Sequence, residues 1–353
     1  MKESTRTLID LINNNFTLND IASTLNLTHK QLYYRLVLLK NQGYFFKKNY
    51  YSNGEITFSM LDSKDLNNYL YYNNNINIIT KKNDNNLRLI VISDLHLGAK
   101  NDNIEALYKI YEYAKSNNIH SIINCGDLVD GIGGRDGAPK EKDLSKQIDY
   151  LIKNYPFDKN ILNYTILGNH DVMSLYHTGV ELKQVLENKR LDIIPLGYNQ
   201  SIIKIKNSKI GLSHPIEDIK KRDWDIDLNL IGHSHTAKFT FSPHTIMYVP
   251  SLSNINMHNE NRIYYPQALD ITLHFNTSNL ANITGYQLIL LNNNFHIVND
   301  FNSQIKSSNP YQNNVVENLP VSKFVNNDST EKNKVRTRQS QIDKFKQKYG
   351  QFL

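Results

Sequence analysis

Apolar residues first recur at helical spacing, with Leu8, Ile9, Leu11 and Ile12 marking a short amphipathic helix. Two more helices open at Thr17-Leu18-Asn19-Asp20 and Thr28-His29-Lys30-Gln31, where a hydroxyl and an acid or amide three positions later fit a capping box. Leu32, Leu36 and Leu39 give the third helix its buried stripe. Two β-prone runs then flank Ser52-Asn53-Gly54-Glu55, and Asn-Gly suits a type I′ hairpin turn. Residues 61–86 include YYNNNINIITKKNDNN, an Asn-rich stretch that reads as a helix trailing into a linker.

From Leu87 the pattern becomes α/β. RLIVIS is a continuous apolar strand, and Ile104, Leu107, Ile110, Tyr111 and Ala114 mark an amphipathic helix. HSIINC, YTILG, KIGLS and DLNLIG follow as short buried strands. Beyond His235 come β runs such as AKFTF, TIMYVP and GYQLILL, and the domain is expected to span residues 87–304. Residues 305–353 read as a basic, largely flexible tail, although Ile342, Phe345, Tyr349 and Phe352 also fit a docking helix.

The chain of 353 residues is long enough for two domains, and 40% hydrophobic with 21% charged residues is ordinary for a soluble protein. No apolar run approaches the ~20 residues that span a bilayer, and the start MKESTRTLIDLINNN has no signal-peptide core; the expected location is the cytoplasm. One cysteine, Cys125, excludes an intrachain disulfide and a thiolate zinc cage. The net charge of +6 hints at a polyanionic partner, but it is uneven. From Lys306 onward nine Lys or Arg face four Asp or Glu, whereas residues 1–80 hold eight against six.

Three helices followed by a hairpin resemble a winged helix-turn-helix domain over residues 1–60. The resemblance implies that Lys30, Gln31, Tyr34 and Arg35 of the third helix face DNA, with Lys47 and Lys48 on the wing. The other reading of such a module is protein docking or dimerisation.

Five short motifs fall where predicted strands end: Asp94-Leu95-His96, Gly126-Asp127, Gly168-Asn169-His170-Asp171, Ser213-His214 and Gly232-His233-Ser234-His235. Residues two apart in a strand point the same way, so Asp94 with His96, and His233 with His235, each present a pair. Strand ends are where α/β sheets gather their sites. Glycine before Asp127, Asn169 and His233 lets the backbone turn tightly there. Asp, Asn and His without Cys make an oxygen and nitrogen donor set for Mn, Fe, Zn or Ni, and their number suits two ions bridged by a carboxylate.

The order D-x-H, G-D, G-N-H-D, H and G-H-x-H resembles the calcineurin-like metallophosphoesterase superfamily. The resemblance implies a four-layer α/β/β/α sandwich preceded by the small winged-helix domain. It implies that Asp94, His96 and His235 hold one metal, that Asn169, His214 and His233 hold the second, and that Asp127 bridges them. Two divalent ions, Mn foremost, would activate water to attack phosphorus in line with the leaving group. His170 is then the catalytic histidine, stabilising charge or protonating the leaving oxygen, and Asp171 either orients it or caps the next helix. Arg135, in the glycine-rich loop after Asp127, either reaches a substrate phosphate or belongs to a surface loop. The remaining seven of the 12 histidines read as ordinary surface or core residues.

Protein serine/threonine phosphatases of the superfamily carry G-D-x-x-D-R-G and G-N-H-E. GDLVDGI and GNHD depart from both. With the winged-helix resemblance, that favours a DNA-directed phosphodiesterase, with DNA as partner and no membrane. The alternatives are a phosphomonoesterase with a docking module, and a DNA-binding regulator whose metal site only binds a ligand. The oligomeric state stays open.

Overall fold

Three helices open the chain: α1 (Glu3–Asn13), α2 (Leu18–Thr24) and α3 (His29–Asn41). Both expected capping boxes form. The Thr17 hydroxyl accepts from the Asp20 N–H at 3.1 Å, and the Thr28 hydroxyl accepts from the Gln31 N–H at 3.2 Å. These helices belong to a computed structural model that describes residues 3–42, 44, 46–61, 75–80, 84–132, 140–214, 226–241, 245–254 and 265–305. Arg135 and residues 306–353 of the expected tail lie outside the described residues.

The hairpin β1 (Phe46–Tyr51) and β2 (Ile56–Met60) pairs antiparallel. Only Gly54 in its turn has positive φ, at +81°. A type I′ turn needs two such residues, so the Asn-Gly expectation fails in detail. The hairpin is also not a free-standing wing. Tyr50 and Tyr51 of β1 pair in parallel with Ile78 and Ile79 of β3 (Asn75–Ile79), making the hairpin one end of an eight-stranded sheet. Part of the stretch read as helix and linker is therefore a strand. Ile76 and Ile78 alternate with asparagine, a period of two hidden by an Asn-rich composition.

The remaining elements are β4 (Asn86–Ile92), α4 (Ile104–Ser116), β5 (Ser121–Asn124), α5 (Leu144–Asn154), β6 (Leu162–Leu167), α6 (Met173–Thr178) and α7 (Leu182–Lys189), followed by nine strands among the described residues. These are β7 (Ile193–Tyr198), β8 (Gln200–Ile205), β9 (Ser208–Ser213), β10 (Leu228–Ile231), β11 (Lys238–Thr240), β12 (Thr245–Tyr248), β13 (Gln267–Asn276), β14 (Asn279–Leu291) and β15 (Asn294–Gln304). One sheet runs β11-β12-β10-β9-β8-β3-β1-β2 and the other β15-β14-β13-β4-β5-β6-β7.

Both sheets are mixed, as a metallophosphoesterase sandwich requires, and strand alternation divides the core. Leu89 and Val91 turn toward the core that also holds Ile203, Ile205, Leu212 and Leu230 of the other sheet. Ile90 and Ile92, between them in sequence, turn toward Leu107, Ile110, Ile148, Leu151 and Leu186 of α4, α5 and α7. Burial on both faces explains why RLIVIS is apolar throughout. Leu8, Ile12, Leu32 and Leu36 share the inter-sheet core, so α1–α3 are packed into the sandwich. No helix of the described residues is long and apolar enough to cross a membrane.

Candidate dinuclear metal centre

In the seven-stranded sheet β4, β5 and β6 run parallel, and in the eight-stranded sheet β9, β10 and β12 do. Asp94, Asp127, Asn169, His214 and His233 follow β4, β5, β6, β9 and β10 in turn, so five strand ends deliver them to one place. Backbone links close the gap between sheets there. Ser93 bridges Ser251 in parallel, and the Leu252 N–H donates to the Ser93 carbonyl at 3.0 Å. The Ser251 hydroxyl donates to the Asp94 carbonyl at 2.8 Å.

Three groups of donor atoms result among the described residues: His96, Asp130 and His170 make up one, and two more hold the expected ligands. Asp94, His96 and His235 form one: His235 Nε2 lies 3.2 Å from Asp94 Oδ1 and 3.2 Å from His96 Nε2. Asp127, His214 and His233 form the other, with His214 Nε2 at 2.9 Å from Asp127 Oδ2. Asp127 lies between them, because the same Oδ2 is 3.8 Å from His96 Nε2. Asn169 Oδ1, in the loop after β6, is buried and has no hydrogen-bond partner among the described residues. A buried amide oxygen left unmatched is costly, and a cation beside it removes the cost. The residues present therefore fit a pair of divalent ions by donor chemistry and by the orphaned oxygen.

Backbone strain marks the same residues. Asp94, His96, Asp127, His233 and His235 all take positive φ, between 45° and 70°. Such conformations disfavour side chains beyond glycine and persist where the surroundings impose them. The neighbouring glycines have two distinct tasks. Gly126 turns the chain at φ +100°, as expected. Gly168 and Gly232 keep ordinary φ, and their reason is space. A Cβ on Gly168 would fall 2.2 Å from Asp127 Oδ1, and one on Gly232 would fall 2.9 Å from His214 Nδ1.

Hydrogen bonds behind the donors set their orientation. His214 Nδ1–H donates to the Cys125 carbonyl at 2.6 Å, which turns Nε2 toward Asp127. Cys125 contributes only that carbonyl; burial pushes its thiol well above the usual range. Burial also pushes Asp127 upward, but His214, His96 and His170 outweigh it and hold the carboxyl at about 2. The reverse holds for His214: burial lowers it, while Asp127 and Asp94 raise it to about 10. Asp94 is likewise held well below the carboxylate range by His235, His96 and His214, against the upward push of burial.

His170 enters this centre through both ends. Its backbone N–H donates to Asp127 Oδ1 at 2.9 Å, and its Nδ1–H donates to the Asp130 carbonyl at 2.5 Å. Nε2 is then 4.0 Å from Asp127 Oδ2. Asp171 performs neither of its two expected tasks. Its carboxylate accepts from the backbone N–H of Leu128 at 2.8 Å, Val129 at 3.0 Å and Gly168 at 2.8 Å. It ties the β5 and β6 loops together, while α6 begins without a side-chain cap. Burial first, then Asp127, raises it to about 7.

Three contributors escaped the sequence reading. Asp130 holds His170 with its carbonyl and places Oδ1 3.7 Å from His96 Nδ1. Its signal was position, three residues after Asp127. Gln147 is buried inside α5, accepting from the Gly131 N–H at 2.9 Å and donating to the Gly131 carbonyl at 3.0 Å. A polar residue on the apolar stripe Leu144, Ile148, Leu151 was its signal. Ser251 gave none.

The residues expected to face DNA lie elsewhere. Lys30, Gln31 and Tyr34 are exposed on α3, and Arg35 is half-buried. Gln31 Oε1 accepts from the Thr28 N–H at 2.8 Å, so the carbonyl end serves the cap. Lys47 is exposed, whereas Lys48 sits over the Tyr33 ring at 5.3 Å. The other face of α3 is turned to the catalytic part: Lys159 lowers the His29 pKa after burial does, and Glu187 helps burial raise Tyr33. The hairpin tip abuts that part too, since a Cβ on Gly54 would fall 2.2 Å from the Asn160 carbonyl oxygen. Asn160 precedes β6 and Asn169 follows it, so the tip is roughly 20 Å from the metal centre, the length of one six-residue strand.

Residues 87–262 match the family described as calcineurin-like phosphoesterase. No curated protein matches the chain. Among solved structures, Vps29 complexed with Zn²⁺ from Entamoeba histolytica is 15% identical, covering 61% of this chain and 98% of its own, at a TM-score of 0.37. Vacuolar protein sorting 29 from Cryptosporidium parvum is 13% identical, covering 63% and 100%, at 0.36. The calcineurin-like phosphoesterase YfkN from Bacillus subtilis is 11% identical, covering 62% and 90%, at 0.32.

Proposed function

Because the chain contains a calcineurin-like metallophosphoesterase domain and is a metal-dependent phosphoesterase, we propose that it is a nuclease-type phosphodiesterase that acts on DNA held by its N-terminal module. The observation that carries the hydrolytic reading is Asp127 Oδ2, set between His214 and His96 with a second group of donors on the far side. Two divalent ions, Mn in the first instance, would supply Lewis acidity and an acidified water there. Asp94, His96 and His235 would hold one, and Asn169, His214 and His233 the other, with Asp127 shared.

The chain's own residues then orient and exclude. His214 and His170 are fixed at Nδ1 by backbone carbonyls, which leaves each Nε2 directed inward. His170 Nε2 is the group placed to stabilise charge on a phosphoryl oxygen or to give a proton to the leaving oxygen. Asp171 keeps the two loops that carry Asp127 and Asn169 in register.

Support for DNA as substrate is the outward side of α3, where Lys30, Gln31 and Tyr34 are exposed together, and the basic bias of the chain. The packed hairpin tip favours a second reading, a phosphomonoesterase whose N-terminal module is part of the scaffold or a docking face. Rates on duplex and single-stranded DNA, RNA, an aryl phosphodiester and an aryl phosphomonoester separate the two, with Mn²⁺ added and Asp127→Asn as the control. Metal-dependent cleavage of DNA and the diester is expected. Turnover of the monoester alone supports the second reading, and activity undiminished in Asp127→Asn overturns the site. Point substitutions on α3 are the suitable probe of DNA binding, because deleting residues 1–60 would strip two strands from the eight-stranded sheet.

A further inference from the structure

Beside His170 the molecule keeps an apolar edge in water. α6 starts three residues after His170, and its Tyr176 is 75% exposed. Leu175 next to it is also exposed. Ile132, two residues beyond Asp130, is 46% exposed. The two stretches meet: the Ile132 N–H donates to Met173 Sδ at 3.3 Å. Tyr176 lies three residues further along α6, about 5 Å in rise.

This edge is held firmly. Gly131, in front of Ile132, has φ +73°, and a Cβ there would fall 2.7 Å from Met173 Sδ and 3.1 Å from the His170 carbonyl. Gln147 grips both the N–H and the carbonyl of the same glycine. A buried glutamine and a glycine without room for a side chain thus fix an exposed isoleucine against the histidine segment. Exposed apolar groups near a polar site mark a place where a ligand's apolar part rests.

We propose that Tyr176, flanked by Ile132 and Leu175, is a stacking platform for the nucleobase on the leaving side of the cleaved phosphodiester. The inference rests on the phosphodiesterase reading and adds a specificity subsite to it. His170 is the group that attends the leaving oxygen in that reading, and the helix that carries Tyr176 starts three residues after it. A nucleobase is one sugar away from that oxygen. Stacking uses the face that every base offers, so the platform favours a base over none and discriminates little among bases.

The test compares two dinucleoside phosphates with Mn²⁺ and the full-length protein, one with thymine on the leaving sugar and one with that sugar abasic. The wild type is expected to favour the thymine substrate in kcat/KM by about ten-fold, carried by KM. Tyr176→Ala brings the ratio close to one, and Tyr176→Phe keeps it. A ratio within one preparation is independent of its folded fraction. A wild-type ratio of one, or a ratio that survives Tyr176→Ala, overturns the platform while continued cleavage of both leaves the diesterase reading standing. Cleavage of neither, alongside turnover of an aryl phosphomonoester, overturns the diesterase reading and the platform with it.

Discussion

At the metal centre polar side chains turn inward. Asp94, Asp127, His214 and His96 are buried, three of the ligand-bearing loops depart from ordinary backbone, and an amide oxygen has no partner among the described residues. On α3 polar side chains turn outward from a regular helix that begins with an ordinary capping box. The first arrangement destabilises the folded chain locally and makes sense only with something bound. The second costs nothing and is compatible with DNA, protein or water. Departure from local rules therefore identifies the chemistry, while an unstrained charged helix leaves its partner open.

The sharpest way to break this contrast is Asp127→Asn, which keeps shape and removes the shared negative charge. Loss of several kcal/mol of charge stabilisation lowers turnover by roughly three decades or more. Bound metal, measured by elemental analysis, should fall as well. Full metal content with normal turnover would make Asp127 an ordinary buried acid. His170→Ala is expected to cost roughly 10²–10⁴-fold in kcat with metal content kept, since the proposed mechanism sets His170 beside the leaving oxygen and outside the ligand set. Loss of metal in that variant would move His170 among the ligands.

The strand ends and their donors were legible because donor chemistry is written in residue type: Asp94, His96 and His235 gather in one group and Asp127, His214 and His233 in another. The apolar strands RLIVIS and DLNLIG were legible for the same local reason. What local pattern missed depended on distant contacts. Asp171 was assigned to its neighbours in sequence, yet its three donors come from two loops brought together by the sheet. Gly168 and Gly232 were read as turning residues, whereas side chains of Asp127 and His214 occupy the space a Cβ needs. β3 was lost because asparagine separates its isoleucines, and the hairpin looked independent because its partner strand was unseen.

A smaller effect comes from protons competing with metal at His214. Its folded pKa is raised to about 10, so metal-free protein gains stability from the proton fully below about 6.5, and the gain is lost as pH rises toward 10. Asp127, lowered to about 2, acts oppositely: its contribution is present above about 3.8 and disappears as pH falls through 2. An ion must displace the His214 proton at neutral pH. Metal affinity, followed by calorimetry in two buffers of different ionisation enthalpy, should rise with pH by up to about ten-fold per unit for each proton released. Affinity independent of pH between 6 and 9 would show that His214 binds no ion.

The smallest expected effect probes the outward helix itself. If α3 lies on DNA, Lys30→Ala removes one phosphate contact. Affinity for duplex should then fall evenly across sequences, and the slope of log affinity against log salt should shrink by about one. Tyr34→Ala should weaken binding without changing that slope, because a neutral side chain releases no counterion. Filter binding over a salt series reads both. Unchanged slope and affinity in Lys30→Ala would remove α3 from the DNA contact. The half-buried face of the helix, close to Lys159 and Glu187, would then be the one that matters, and the module would serve the scaffold that holds the metal loops.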